Sequence, residues 1–166
     1  MTFPGGAGDY AKCACSGYRL EAGQPVRTRR RLRDHVTYPI IVFDAECVLC
    51  SANAQFVLKH DTRGRFRLAS MQGEVGAELL RRFGIDPADP ETMLLVEDDR
   101  VLRDSDAVLA IWFGLGWPWR ATTVFWLVPR LVRDFVYRLV ARNRYRLFGR
   151  RETCFVPRPD QAERIL

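Results

Sequence analysis

Cys47 and Cys50, in the run VFDAECVLC, are the residues whose type and spacing point most directly to chemistry. Two thiols three positions apart on the first turn of a helix lie side by side, because 3.6 residues make a turn. The first sulfur also faces free backbone N–H groups and the positive end of the helix dipole, which favour a thiolate. Such a pair suits dithiol–disulfide exchange. Cys47 is expected to attack a substrate disulfide, and Cys50, one turn deeper, to resolve the mixed disulfide. Val48 and Leu49 between them supply no cation, and Asp44 and Glu46 add negative charge nearby. A reducing rather than a strongly oxidising couple follows. Asp44 has two readings: a base that takes the proton from Cys50, or a cap on a free N–H at the helix start.

These residues need a strand and a helix to hold them. Tyr38 to Phe43 is a short apolar run rich in β-branched residues, which predicts a buried strand; the segment after Cys50, with Ala54, Val57 and Leu58 on one face, predicts a helix. Phe66 and Leu68 alternate with Arg65 and Arg67 in a second strand, Arg65 to Ala69. A helix follows from about Glu74 to Phe83, stopped by Gly84. Thr92 to Val96 and Arg100 to Arg103 read as a hairpin across Glu97-Asp98-Asp99. Asp104-Ser105-Asp106 is expected to cap a helix over Ala107 to Phe113, and Gly114 to Pro118 breaks it. An apolar segment, Ala121 to Val128, then precedes a last helix from Arg130 to about Arg146. That helix carries Leu131, Val132, Phe135, Val136, Leu139 and Val140 on one stripe and arginines elsewhere. The arginine face is expected to be solvated; contact with a membrane surface or a partner is the lesser reading. The four tryptophans (Trp112, Trp117, Trp119 and Trp126) are expected to pack within this appendix.

The order βαβαββα with a helical appendix from about residue 117 predicts an α/β, thioredoxin-like sandwich over 38–166. Residues 1–37, with PGG and the basic cluster Arg27 to Arg33, are expected to form a flexible extension. A chain of 166 residues suits one domain with a real core. Its net charge of +6 comes with no nucleic-acid motif, so nucleic acid is not the expected partner. Five cysteines, an odd count, argue against a framework of structural disulfides. No stretch of 20 or so apolar residues runs unbroken, and residues 1–30 lack a signal-type apolar core. The cytoplasm is the expected compartment.

With Asp44, Cys47 and Cys50 go Ser105-Asp106-Ala107, Asn143-Arg144-Tyr145, Gly149 and Cys154. On these residues the chain closely resembles the DCC family of thiol–disulfide oxidoreductases over about Tyr38 to Pro159. The resemblance implies a thioredoxin-like fold and disulfide exchange at Cys47 and Cys50, with Asp44 beside them. One departure is Ala45, where the family usually has glycine; a positive φ there would strain an alanine. Another is Pro90, one residue earlier than the proline that faces the cysteines in thioredoxins, with Glu91 in the expected place.

Ser105, Asp106 and Thr92 are the candidate substrate- or glutathione-binding residues, since the Ser105-Asp106 helix start resembles the γ-glutamyl carboxylate site of glutaredoxin-like proteins. Cys154 and Arg144 are candidate accessory residues. No resident cofactor or metal is expected beyond the Cys47–Cys50 disulfide, with glutathione as an alternative electron donor. The expected partner is a disulfide-containing protein or a low-molecular-weight thiol substrate. Two other classes remain open: a thioredoxin-like scaffold without turnover, and a zinc module using Cys13, Cys15, Cys47 and Cys50.

Overall fold

A computed structural model describes residues 38–86, 92–97, 100–151 and 159–166. Four short strands form one mixed sheet: β1 (Ile40–Phe43), β2 (Arg67–Ser70), β3 (Leu94–Glu97) and β4 (Arg100–Arg103). Their order is β2-β1-β3-β4; β1 is parallel to β2 and antiparallel to β3, and β3 is antiparallel to β4. Helix α1 (Val48–His60) follows β1, α2 (Glu74–Arg82) follows β2 and α3 (Asp104–Gly114) follows β4. The fold is thus α/β and consistent with a thioredoxin-like sandwich.

β1 and the first three residues of β3 are buried on both faces, whereas β4 at the edge is not. Ile41 and Phe43 of β1 pack with Val57 of α1 and Ile111 of α3, whereas Ile40 and Val42 pack with Leu79 and Leu80 of α2. Alternation along a strand sends successive side chains to opposite faces, so both sets can be apolar only if helices cover both. This explains why β2 does not keep the expected polar face. Ala69 is as buried as Leu68, and the strand starts at Arg67 rather than Arg65. Gly76 lets α2 approach β2, because a Cβ there would meet the Ser70 carbonyl oxygen at 2.0 Å.

Beyond α3 a 3-10 helix (Trp119–Leu127) leads into α4 (Arg130–Phe148). Here the structure reverses an expectation. Leu131, Val132, Phe135, Val136 and Leu139 are exposed, and among the helix's residues Arg144 is buried. The periodicity of α4 marks two faces but not which one turns inward. Arg133, Tyr137 and Arg144, at i, i+4 and i+11, form the inner face because buried polar groups of the domain lie opposite them. Trp117 and Trp126 are exposed too, while Trp119 packs edge-on against Phe56 and His60.

The start of α3 also differs from expectation. Asp104, Ser105 and Asp106 lie inside the helix, whose N-cap is Arg103 with no side-chain cap bond. The cap is tertiary: the Asp104 N–H donates to Thr92 Oγ1 at 3.1 Å. Pro90 and Glu91, the Asp98-Asp99 turn, Cys154 and residues 1–37 with Cys13 and Cys15 lie outside the described residues.

Candidate active site

The turn between β1 and α1 is built around the Asp44 carboxylate, which is 1% exposed. One oxygen accepts from the Glu46 N–H (2.9 Å) and from Gln72 Nε2 (2.8 Å). The other accepts from Arg144 at 3.0 Å and from the Tyr145 hydroxyl. Asp44 therefore holds a local turn rather than capping a helical N–H, and it ties α4 to that turn by a buried ion pair. Gln72 also accepts the Ala45 N–H at 3.1 Å. Ala45 does not adopt a positive φ, which among the described non-glycine residues occurs at Asp104. The alanine in place of glycine is thus unstrained.

Cys47 is the N-cap of α1, and both it and Cys50 are free thiols. The Cys47 sulfur accepts the Cys50 backbone N–H at 3.5 Å. Burial first, then the negative charge of Cys47 and a hydrogen bond to it, push the Cys50 thiol up from 9.0 to about 12; Asp44 adds to this and Arg144 opposes it. The folded protein holds this proton to higher pH than the unfolded chain does. The stability it contributes is intact below about pH 9 and lost as pH rises through about 12. Denaturant unfolding of wild type and Cys50→Ala over that range checks the point: the variant should lose stability less steeply.

The depth of the two thiols is the reverse of the expected order. Cys47 is fully buried, and Cys50 is partly exposed. Over the turn lie residues 149–151, a hundred residues away in the chain, which run antiparallel to it with Arg150 opposite Cys47. The Arg151 N–H donates to the Glu46 carbonyl at 2.7 Å, and the Val48 N–H to the Gly149 carbonyl at 3.5 Å. Arg150 pairs with the Glu46 carboxylate at 2.7 Å. Gly149, with φ +83, supplies the left-handed turn that sends the chain from α4 back over Cys47.

The other candidate residues sit around α4. Ser105 donates to the Asp134 carboxylate and accepts from Arg133 at 3.1 Å, while Asp106 pairs with Arg133 at 3.0 Å. Thr92 Oγ1 lies 3.2 Å from the Tyr137 hydroxyl, which also accepts the Met93 N–H at 3.1 Å. These groups are engaged in holding α4 to the domain. Sequence reasoning missed Gln72, Tyr137 and the part played by Tyr145, and Gln72 carries no local signal that would have found it. Among the described residues no cluster of three or more His, Cys, Asp or Glu could hold a metal ion.

The family model for DCC1-like thiol-disulfide oxidoreductases matches residues 41–150, from β1 to the segment over Cys47. The chain belongs to the DCC1-like family. A relative of uncharacterised function, YuxK of Bacillus subtilis, is 35% identical over 127 residues, covering 76% of this chain and 93% of that protein. A DCC family protein of Arabidopsis thaliana, described as chloroplastic, is 41% identical over 117 residues, covering 70% of this chain and 68% of that protein. No solved structure matches the chain. Membership of the DCC1-like family supports a thiol–disulfide redox role. It also joins both ends of the site within one matched stretch: Asp44, Cys47 and Cys50 at one end, Arg144, Tyr145 and Arg150 at the other.

Proposed function

We propose that the protein is a disulfide reductase in which Cys47 attacks and Cys50 resolves. The observation that carries this reading is the asymmetry of the pair. The Cys47 sulfur accepts from Cys50, and the Cys50 thiol keeps its proton up to about pH 12. The Cys47 thiolate attacks one sulfur of a substrate disulfide, and the other sulfur leaves as a thiolate that takes a proton from solvent. In the mixed disulfide Cys47 no longer bears a negative charge. Two of the influences that raise Cys50 are then gone, and Arg144 still favours its thiolate. Cys50 then loses its proton to solvent and attacks the Cys47 sulfur. The bond from Cys47 to the substrate breaks, so that the second substrate sulfur leaves as a thiolate. The dithiol has given up two electrons, and two molecules of a low-molecular-weight thiol such as glutathione, or one dithiol protein, return them.

Asp44 serves this reaction as a positioning residue, since both of its oxygens are taken by donors. Access to Cys47 requires residues 149–151 to move aside. Replacing Arg150 by alanine removes a partly exposed ion pair worth about 0.2–1 kcal/mol. In a Cys50→Ser background it should speed iodoacetamide labelling of Cys47 by roughly 1.4- to fivefold. An unchanged rate would mean that this pair does not limit access.

The test of the function is a titration of the full chain through dithiothreitol redox buffers, with alkylation and peptide mass spectrometry. A reversible Cys47–Cys50 disulfide of defined potential is the expected result. Thiols that never pair would leave a scaffold without turnover, and thiols that react only after a chelator is added would point to zinc.

A further inference from the structure

The outward stripe of α4 has no counterpart in the thiol chemistry, and it continues beyond that helix. Leu131 is 86% exposed and Phe135 69%, and Leu127 (84%) at the end of the 3-10 helix and Trp117 (82%) before it are exposed as well. Between α3, the 3-10 helix and α4 lies an open groove of about 450 Å³, lined by Val108, Leu109, Phe125, Val128, Val132 and Val136. A contiguous exposed apolar surface of this kind marks an interaction site. Charge decides which partner fits. Residues 117–148 hold seven arginines and one acid, Asp134, and their excess of six positive charges equals that of the whole chain. Subtracting Asp44, Asp104 and Asp106, which pair with this helix, still leaves an excess of three. Arg142 and Arg146, both exposed, continue the line of Phe135 and Leu139 at helical spacing.

We infer that the 3-10 helix and α4 dock this protein on an anionic lipid surface. Leu131 and Phe135, with Trp117 and Leu127, would enter the boundary between headgroups and acyl chains, and the arginines would meet lipid phosphates. An amphipathic helix with a basic rim lies in the plane of a bilayer in this way. Tryptophans at such a surface sit at headgroup level. Two other occupants suit the charge poorly. A second copy would bring the same positive surface against this one. Residues 1–37 are themselves positive, with seven Lys and Arg against three acids. None of the described helices is long and apolar enough to cross a membrane, so the contact is peripheral.

Sedimentation of the full chain with vesicles tests this, using phosphatidylcholine alone and phosphatidylcholine mixed with phosphatidylglycerol. Binding to the mixed vesicles, weak binding to the neutral ones and a blue shift of tryptophan emission are expected. Leu131→Glu, at an exposed position that the fold does not use, should abolish the binding and leave thermal unfolding unchanged. Arg142→Gln and Arg146→Gln should each lower partitioning roughly fivefold. Absence of binding to the mixed vesicles at low salt overturns the inference. Binding that survives Leu131→Glu overturns it as well, because it would come from positive charge elsewhere, residues 1–37 included. Self-association by light scattering that Leu131→Glu abolishes, without vesicle binding, would assign the surface to a second copy instead.

Discussion

Replacing Arg144 by methionine should lower the stability of this protein by about 3–5 kcal/mol, the usual cost of leaving one member of a buried ion pair without the other. Methionine keeps much of the length and apolar stem of arginine but leaves the Asp44 carboxylate buried with no cation. Gln72, Tyr145 and the Glu46 N–H would still donate to it. A domain of this size has about 5–15 kcal/mol in total. With a urea slope near 2 kcal/mol per M, the unfolding midpoint should fall by about 2 M. The double variant Asp44→Asn with Arg144→Met should recover part of this loss, since it removes the stranded charge as well. An unchanged midpoint for the single variant would show that α4 is held to the turn by its other contacts. In that case Ser105, Asp106 and Thr92, with Arg133 and Tyr137, would carry the attachment.

The largest effect on activity is expected at the two cysteines, and the two variants should differ in kind. Cys50→Ser should reduce disulfide turnover to that of a free thiol in solution while a mixed disulfide accumulates on Cys47. Cys47→Ser should remove turnover and trap nothing. It should also make Cys50 easier to ionise, because the negative charge of Cys47 and the hydrogen bond to it both raise the Cys50 thiol. Alkylation of Cys50 against pH, in wild type and in Cys47→Ser, reads this directly. The midpoint should move down from about 12 in the variant. If instead Cys47→Ser traps the substrate, the partly exposed Cys50 is the attacking thiol and the roles are exchanged. Turnover that survives both substitutions would remove the pair from the reaction altogether.

The sequence was most legible where a feature is local. The helix after Cys50 begins at Val48 and the second begins at Glu74, because helical spacing acts within a few residues. The α4 helix was equally visible, yet its orientation was not. Leu131, Phe135 and Leu139 have the spacing of a core stripe, and the arginines beside them have the spacing of a solvated face. What turns the helix over is that Arg133, Tyr137 and Arg144 find partners 27, 44 and 100 residues away in the chain. Burying those polar groups against each other satisfies donors and acceptors that would otherwise be lost in the interior. No local pattern encodes that.

By itself, the sequence determined the order of strands and helices, the placing of Cys47 and Cys50 at a helix start, and the family to which the chain belongs. Short-range periodicity and a compact motif are enough for those. Only the tertiary structure decided that Cys47 is the buried thiol, that Asp44 anchors α4 through Arg144, and that an apolar face is left outward. Each of these depends on segments remote in the chain meeting across the sheet and closing over the turn. Their geometry is set by which buried charges and polar groups must find partners.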